Sequence, residues 1–350
     1  MDTIPFGTRT GLRVSAFALG TGMLGTAYGY GTEPGEARAL LDAFAEAGGT
    51  FFDTSDAYQF GAAEATLGDF LASDRDRFVV ASKFGLTAER APGAAAVGSH
   101  RRAMVAAVEA SLRRLKTDRL DLYLAHLDDG ATPVDEVMRG FDQLVAAGKV
   151  VYAGLSNFPA WRAAAAATIA DLRGWAPLAA LQLPYSLLER TVERELLPMA
   201  RGLGLGVMGY APLAGGVLTG KYRRGEAGRA TALGPASVGA PPASDARAEA
   251  YADAVREGVL DAVLAIAAEL GCEPAGVAHA WARARGVVPI LGPRTCAQLT
   301  ANLVAARVAL TDAQQRRLDA ASAPALGYPH DLLARERARL GLGGGARVAA

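Results

Sequence analysis

Short apolar runs alternate with amphipathic segments along most of the chain. The runs are FALG at residue 17, TFFD at 50, FVVASK at 78, LDLYLAH at 120, KVVYAGLSN at 149, LAALQL at 178, LGVMGY at 205 and VVPILG at 287. Runs that are almost wholly apolar and separated by single helices predict a parallel sheet covered by helices on its outer face. Eight such strand–helix units predict a closed (β/α)8 barrel of the TIM type. Ahead of them, Ile4 to Gly7 and Arg13 to Phe17 can pair as a β-hairpin.

The helical segments carry their own start and stop signals. In TPVDEVMRGFDQLVAAGK, Thr132 is predicted as N-cap, Pro133 as the first helical residue, Asp135 as the acid of a capping box and Gly148 as the stop. Apolar residues spaced by three and four predict further helices with one buried face. These helices are expected to begin near Glu33, Ser99, Trp161, Arg190, Glu273 and Arg294.

Two segments lack this periodicity. Residues 222–244 are rich in Gly, Ala and Pro and predict a long mobile loop after the seventh strand of the barrel, with a linker of no function as the alternative. Residues 336–350 end in GLGGGARVAA and predict a flexible tail. Residues 1–335 are therefore expected to form a single barrel domain.

Charge and cysteine content exclude several functions. Lys plus Arg and Asp plus Glu number 36 each, so a nucleic-acid partner is not expected. The N-terminus has no secretory pattern, and no stretch reaches the ~18 uninterrupted apolar residues of a membrane span, so we expect a cytoplasmic protein without a membrane partner. Only Cys272 and Cys296 are present, and no His or Cys cluster has zinc spacing, so neither a disulfide framework nor a metal site is expected.

Polar side chains follow the predicted strands where each of them ends. Because the carboxyl ends of barrel strands converge on one face, these side chains are expected to meet there. Each has a structural alternative when taken alone, such as a core histidine for His126 or a surface lysine for Lys83. Together they predict a site at the barrel mouth. The residues are Asp53, Lys83, His126, Ser156, Asn157, Gln182 and Tyr210, with Arg294 after the eighth strand.

Tyr58, just beyond the second strand, completes a set of groups that can transfer a proton. A phenol titrates near pH 10, so a lysine ammonium at Lys83 would be needed to stabilise the phenolate and to bring the Tyr58 pKa toward neutrality. Asp53 would keep that ammonium charged and oriented. His126 could orient a carbonyl oxygen or relay a proton, depending on its protonation state.

Several stretches of the chain resemble the aldo-keto reductase family, from Phe6 to about Ala306. They are FFDTSDAY, VVASKFG, LYLAHLDD and PILGPRTCAQLTANL, supported by GLSNF, LQLPYSLLER and GYAPLAGGVLTGKY. The resemblance places the catalytic tetrad of the family on Asp53, Tyr58, Lys83 and His126, with Tyr58 as general acid in carbonyl reduction.

The same resemblance implies that NADPH binds in extended form across the barrel mouth. Ser156, Asn157 and Gln182 would then hold the carboxamide, and Tyr210 would stack on the nicotinamide. The residues implied in cofactor binding are Gly20, Thr21, Gly22, Asp53, Ser156, Asn157, Gln182, Tyr210, Ala211, Pro212, Leu213, Gly215, Lys221, Gly292, Arg294, Gln298 and Asn302.

The far end of the implied cofactor site involves the last barrel helix. Arg294 matches the cation that the family uses for the 2′-phosphate, and Gln298 and Asn302 would reach the adenine. Thr295 and Gln298 are also spaced as a capping box, and both roles can coexist. Pro293 removes one backbone N–H beside the proposed phosphate site, which weakens the expected preference for NADPH over NADH.

Gly20, Gly22 and Gly25 have the G-x-G-x-x-G spacing of a Rossmann nucleotide site. That motif requires a helix immediately after the last glycine, whereas the next helical pattern begins only near Glu33. A loop between a strand and a helix is therefore favoured over a Rossmann domain.

The expected function is NADPH-dependent reduction of an aldehyde or ketone. A binding role is the first alternative, since the sequence also resembles the β subunits of voltage-gated potassium channels. An unrelated barrel lyase or hydrolase is the second. Apolar residues in the loops favour an aromatic or aliphatic carbonyl substrate, with loop packing as their alternative role; they are Met23, Tyr28, Tyr30, Phe60, Phe84 and Leu127. The sequence leaves open the natural substrate, the direction of reaction and whether the chain forms a homo-oligomer.

Overall fold

The structure, a computed structural model, describes residues 1–228 and 246–342. The chain starts with the predicted hairpin, in which β1 (Thr3–Pro5) pairs antiparallel with β2 (Arg13–Ser15). Gly7 follows β1 at a φ of +74°, and a Cβ atom built there would come within 2.5 Å of the backbone nitrogen of Gly206. Only glycine therefore allows the hairpin to approach the barrel this closely.

Eight parallel strands then form a closed barrel, which confirms the predicted (β/α)8 architecture. The last strand of the barrel pairs both with the strand before it and with the first barrel strand, so the sheet has no free edge. The barrel strands are β3 (Ala18–Gly20), β4 (Phe51–Asp53), β5 (Val79–Phe84), β6 (Leu120–Ala125), β7 (Val150–Ser156), β8 (Leu178–Pro184), β9 (Gly206–Tyr210) and β10 (Val288–Leu291). Each lies within a predicted apolar run or extends it by a single residue.

Helices cover the outer face of the barrel, and all except the last of them bury apolar side chains. None of the helices in the described ranges is long and apolar enough to cross a membrane. They are α1 (Pro34–Glu46), α2 (Ala62–Leu71), α3 (Arg101–Leu115), α4 (Val134–Ala146), α5 (Ala160–Arg173), α6 (Leu196–Gly202), α7 (Ala246–Leu270), α8 (Pro274–Arg283), α9 (Cys296–Val304), α10 (Asp312–Ser322) and α11 (His330–Arg339).

The predicted cap of α4 is wrong. Pro133 is the N-cap, and no side chain caps this helix. Thr132 instead donates its hydroxyl to Asp129 Oδ2 at 2.6 Å, and its backbone N–H goes to Asp129 Oδ1 at 2.7 Å. The Asp129 carboxylate accepts hydrogen bonds from both the hydroxyl and the backbone N–H of Thr132, so Thr132 does not cap α4. The helix therefore begins one residue later than the sequence indicates.

Two further predictions change in detail. The helix expected from Arg190 is interrupted, because Glu195 has φ −140° and separates a 3₁₀ turn at Thr191–Glu193 from α6. The expected flexible tail begins within a helix, since α11 extends to Arg339. The predicted loop over 222–244 lies outside the described residues from 229 onward, and so do residues 343–350 of the tail.

The barrel interior is filled by one compact set of apolar side chains. Phe6, which follows β1, closes the end of the barrel at the hairpin and meets Phe51 edge-on at 5.5 Å between ring centroids. The other fully enclosed members are Val14, Ala18, Ala81, Leu122, Leu124, Ala180, Met208, Val288 and Ile290. Because strand side chains alternate in direction, a residue two positions further along the same barrel strand also points inward, toward the mouth.

Candidate active site

This alternation places one layer of functional groups above the apolar filling. Asp53 stands two residues beyond Phe51, and Lys83 stands two beyond Ala81. By the same spacing, Leu124, Ala180 and Met208 are followed by His126, Gln182 and Tyr210. The barrel therefore brings together the polar residues that the sequence analysis found at the ends of the strands.

Lys83 and Asp53 form a buried ion pair at the centre of this layer. Lys83 Nζ lies 2.8 and 2.9 Å from the two carboxylate oxygens of Asp53 and donates to the carbonyl oxygen of Thr54 at 2.7 Å. It also donates to the hydroxyl oxygen of Tyr58 at 3.2 Å. The phenol oxygen accepts this bond, so its own proton remains available for donation to another molecule.

Burial determines how Tyr58 titrates. Burial raises the pKa of Tyr58 above its ordinary value, and the ammonium of Lys83 opposes this without overcoming it. The expected shift of the Tyr58 pKa toward neutrality is therefore wrong for this structure. Burial alone would lower the pKa of Lys83, but the Asp53 carboxylate and Tyr58 raise it, so the lysine stays charged. The site holds a neutral phenol beside a fixed cation.

His126 follows β6 and faces the Tyr58 ring. The two ring centroids are 5.8 Å apart, and the ring planes are nearly perpendicular, at 80°. Burial, with a smaller contribution from the Lys83 charge, lowers the pKa of His126 to about 3. The imidazole is therefore neutral near physiological pH, and its tautomer is set by what Nδ1 contacts.

The loop that carries Tyr58 is held in an unusual conformation. Gln59 and Phe60 both have positive φ, at 52° and 55°, which is rare for residues other than glycine. The amide group of Gln59 fixes this loop to the one after β3, because it donates to the carbonyl oxygen of Gly22 at 3.0 Å and accepts from the backbone N–H of Tyr28 at 3.2 Å. The position of Tyr58 thus depends on two barrel loops that are joined by Gln59.

An aromatic wall stands beside this loop. Tyr28 meets Phe60 edge-on at 5.3 Å between centroids, and the Arg90 guanidinium lies 3.9 Å from the centroid of the Phe60 ring. Phe84, also predicted to line the pocket, is fully buried outside the barrel instead, against Tyr123. That prediction is wrong, since Phe84 follows Lys83 and side chains alternate in direction along a strand.

The side chains expected to hold a carboxamide form a hydrogen-bonded group. Gln182 Nε2 donates to Asp53 Oδ1 at 2.7 Å. Asn157, at a φ of +55°, donates to the Ser156 hydroxyl oxygen at 3.0 Å and accepts from the Tyr210 hydroxyl at 2.9 Å. Gln182 thus contacts the ion pair, whereas Ser156, Asn157 and Tyr210 form a separate group that is joined to Gln182 through the backbone, Asn157 N–H donating to the Gln182 carbonyl oxygen at 3.3 Å.

Two cations lie near each other at the rim of the barrel mouth. Burial and then the nearby positive charge of Arg294 lower the pKa of Lys221, which places the two cations close together. Two like charges near each other suit an anionic ligand. Thr21, at the end of β3, adds a fully buried hydroxyl that makes no hydrogen bond within the described residues.

The turn after β9 brings backbone into this rim. Ala211 has φ +53°, and Gly215 and Gly216 have φ values of 63° and 97°. Pro212 and Leu213 lie between β9 and the 3₁₀ turn at Ala214–Thr219. The Tyr222 hydroxyl fixes the turn by donating to the carbonyl oxygen of Gly215 at 2.9 Å.

The start of α9 is capped, although not as a full capping box. Thr295 accepts from the backbone N–H of Gln298 at 3.2 Å, but Gln298 returns its side-chain oxygen to the N–H of Arg294 at 2.9 Å, rather than to that of Thr295. Asn302, predicted at the adenine end, is buried on α9 close to His279. Gly292 and Arg294 lie between β10 and this helix, and Arg294 stacks on the Tyr30 ring at 4.3 Å.

Sequence reasoning missed four polar residues that the fold brings to this region. Glu36 of α1 accepts from the backbone N–H of Cys296 at 2.7 Å, next to the Arg294 turn. Ser55, Asp56 and Glu64 form a buried polar group behind His126 and Tyr58. The sequence contained a signal for part of this group, since DTSDAY has two aliphatic hydroxyls and a second carboxylate close to Tyr58.

Comparison with known proteins supports one family. The profile of the Aldo/keto reductase family matches residues 16–323. The chain is 36% identical over 320 residues to an uncharacterized oxidoreductase, YrpG, of Bacillus subtilis, covering 86% of this chain and 90% of that protein. It is 32% identical to the aldo-keto reductase ausK of Aspergillus calidoustus, covering 95% and 85%. It is 34% identical to the norsolorinic acid reductase stcV of Emericella nidulans, covering 91% and 81%.

Proposed function

Because the chain belongs to the aldo/keto reductase family, we propose that it reduces an aldehyde or a ketone to an alcohol with NADPH, and that Tyr58 is the general acid. Proteins of this family are NAD(P)H-dependent oxidoreductases, and this chain is one of them. The observation that carries the finer assignment is the 3.2 Å contact from Lys83 Nζ to the Tyr58 hydroxyl oxygen.

Tyr58 gives its proton to the carbonyl oxygen as that oxygen gains negative charge. The phenolate that remains is stabilised by the Lys83 ammonium, which already points at the phenol oxygen. Asp53 keeps the ammonium in place with both carboxylate oxygens. The preorganised charge requires little rearrangement during the reaction.

The neutral imidazole of His126 orients the carbonyl oxygen toward Tyr58. Its ring stands across the Tyr58 ring, and its low pKa keeps it uncharged. The aromatic wall of Tyr28 and Phe60 favours a substrate with an apolar or aromatic group next to its carbonyl.

The residues present fit a nicotinamide dinucleotide. When bound, NADPH supplies the hydride from nicotinamide C4. Gln182 and Asn157 offer amide groups for the carboxamide, and Tyr210 offers an aromatic face. Lys221 and Arg294 provide charge for the phosphates, and the buried Thr21 hydroxyl that makes no bond within the described residues provides a further polar contact. We assign Arg294 to the 2′-phosphate because a guanidinium fork matches that group.

The test compares NADPH oxidation by the wild type and by Tyr58→Phe across a panel of aromatic and aliphatic aldehydes. We expect the turnover number to fall by about 10²- to 10⁴-fold in the variant, since that is the usual contribution of a positioned acid. NADPH binding, followed by fluorescence titration, should stay within about twofold.

Tyr328→Phe is the matched control, because Tyr328 is 78% exposed and its hydroxyl can be removed without touching the barrel mouth. Equal rates in the wild type and in Tyr58→Phe would contradict the assignment of the acid. NADPH binding with no turnover on any aldehyde would favour the binding role that the sequence left as an alternative.

A further inference from the structure

A chain of hydrogen bonds leads from His126 into the protein interior. His126 Nδ1 lies 3.1 Å from Ser55 Oγ, and Ser55 Oγ lies 3.1 Å from Asp56 Oδ1. Ser55 is completely buried, and Asp56 is only 2% exposed. His126 Nε2 makes no hydrogen bond to the described residues. The mechanism above uses neither Ser55 nor Asp56.

The hydrogen bonds that connect His126, Ser55 and Asp56 allow two arrangements of their protons. The Ser55 hydroxyl accepts the backbone N–H of Ala57 at 3.3 Å and has a single proton, so it can donate either to Asp56 or to His126 but not to both. If Asp56 is a carboxylate, Ser55 donates to Asp56, and the His126 contact then requires a proton on Nδ1. If Asp56 is a carboxylic acid, Asp56 donates to Ser55 and Ser55 donates to Nδ1. The imidazole proton of neutral His126 then resides on Nε2.

The surroundings of Asp56 place its titration within reach of ordinary conditions. Burial, and then the neighbouring Glu64 carboxylate of α2, raise the pKa of Asp56 to about 6, against the opposing Ser55 hydroxyl, Ala57 N–H and Arg114 of α3. The phenols of Tyr28 and Tyr123 also interact with the Asp56 charge, from the loop after β3 and from β6. Since the pKa of His126 is about 3, the imidazole stays neutral while Asp56 titrates.

We propose that Ser55 and Asp56 are positioning residues that select the tautomer of His126, and that protonation of Asp56 converts Nε2 from a hydrogen-bond acceptor into a donor. The proposal rests on the connected Nδ1, Oγ and Oδ1 atoms and on the single proton of the hydroxyl between them. It gives Asp56, the second buried acid of the DTSDAY segment, a role that is separate from the role of Asp53.

The tautomer matters for the reaction assigned above, on which this step rests. Carbonyl reduction builds negative charge on the substrate oxygen, which a donor at Nε2 stabilises and a lone pair does not. Removing one such donor lowers the turnover number by about 10²- to 10³-fold in well-studied enzymes. Reduction is therefore faster below the midpoint of the Asp56 titration and slower above it.

The first measurement is a nitrogen-15 NMR titration of the histidine rings in the full-length protein between pH 4.5 and 8.5. The chain has four histidines, so the spectrum of His126→Asn identifies the signals of His126 by difference. We expect a neutral ring throughout, with the proton on Nε2 at low pH and on Nδ1 at high pH, and with a midpoint near 6. A single tautomer across the whole range would overturn the proposal. This readout requires no turnover, so it stands apart from the test of Tyr58.

The second measurement repeats the titration in variants of the chain of hydrogen bonds. In Asp56→Asn the titrating group is gone, so one tautomer should persist at every pH and the pH dependence of kcat/KM in this range should be lost. In Ser55→Ala the imidazole is uncoupled from Asp56, and kcat should fall by about tenfold or more at pH 5. Glu64→Gln removes the neighbouring negative charge and should move the midpoint to lower pH.

Asp118→Asn is the matched control, because the Asp118 side chain is 85% exposed and, among the residues that the structure describes, forms an ion pair with Arg119 alone. It should keep the wild-type midpoint and pH profile. Retention of the wild-type midpoint by Asp56→Asn would overturn the proposal, since another group would then be titrating. No turnover of any aldehyde by the wild type, with its tautomer transition still observed by NMR, would instead contradict the proposed reaction and leave the tautomer switch standing.

Discussion

The Lys83 ammonium is fully buried, and its acceptors lie on two segments of the chain. Asp53 ends β4, while Thr54 and Tyr58 belong to the loop that follows it. An ion pair inside a protein is worth little compared with well-packed apolar side chains, but the loss of one partner leaves the other charge buried and unpaired. The fold therefore depends on both residues of the pair.

Lys83→Met should lower the free energy of unfolding by about 3–5 kcal/mol, because it leaves the Asp53 carboxylate buried without its cation. Urea denaturation at pH 7 measures this loss. The matched control is Lys116→Met, which breaks the exposed ion pair with Asp69 and should change the free energy by less than about 1 kcal/mol. Equal losses in the two variants would show that burial of the pair has no energetic consequence.

Asp56 should make stability depend on pH with a defined sign. The pKa of Asp56 is about 6 in the folded protein and 3.8 in an unfolded chain, so the folded protein holds the proton more tightly. The stabilisation is complete below pH 4 and is lost as the pH rises through 6.

Asp56→Asn should therefore raise the free energy of unfolding by about 2–3 kcal/mol at pH 8, and much less at pH 4. Denaturation curves of the two proteins at both pH values provide the comparison. A constant difference between them at the two pH values would mean that Asp56 does not titrate between them.

At the scale of elements, the start of α9 combines a cap, a cation and a carboxylate. Glu36 of α1 already accepts the N–H of Cys296, so this helix end presents less free backbone to an anion than a bare N-terminus would. Arg294 and Lys221 are then the groups left for a phosphate. Cofactor preference should depend on these side chains more than on the helix itself.

Arg294→Met should weaken NADPH binding by about 10- to 100-fold and NADH binding by much less, because only NADPH carries the 2′-phosphate. Fluorescence titrations with both cofactors at a fixed ionic strength measure the two dissociation constants. Arg90→Met removes a different cation, one that stacks on the Phe60 ring, and serves as the matched control. An equal loss for NADPH and NADH in Arg294→Met would move the 2′-phosphate to other residues.

The strands and helices also differ in how well local sequence patterns predict them. All eight barrel strands agree with their apolar runs, because a strand buried on both faces leaves a strong local signal. Helix starts are predicted less well, as Thr132 shows, because the capping hydroxyl found another acceptor in Asp129. Helix ends depend on such competition between nearby polar groups, which residue preferences do not describe.

For the whole molecule, acid stability should depend on buried neutral histidines. His279 of α8 is fully enclosed, lies close to Asn302 and meets Phe17 edge-on at 5.8 Å between ring centroids. Burial lowers its pKa to about 4, whereas an unfolded chain would titrate near 6.5. The unfolded chain therefore gains the proton first, and stability is lost as the pH falls from 6.5 toward 4.

His279→Leu should reduce the stability lost between pH 7 and pH 4 by about 3 kcal/mol, since an apolar side chain fills the site without a proton to gain. Free energies of unfolding at a series of pH values provide the slope. His330→Leu, on the outer helix α11, is the matched control. An unchanged slope in His279→Leu would mean that other groups control acid unfolding.

The sequence by itself determined the barrel, the order of its strands and the polar residues at their ends. These features follow from a local alternation of side chains, because the carboxyl ends of parallel strands must converge on one face. Whether each of these residues has the proposed role is for the variants above to test.

Only the tertiary structure decided which polar groups meet across distant parts of the chain. Cys296 and Glu36 are 260 residues apart, and Ser55 reaches His126 over 71 residues. It also decided that burial outweighs the Lys83 charge at Tyr58, and that Phe84 packs outside the barrel. These contacts form, and these side chains become shielded from water, only when the barrel closes. A local sequence pattern therefore cannot predict them.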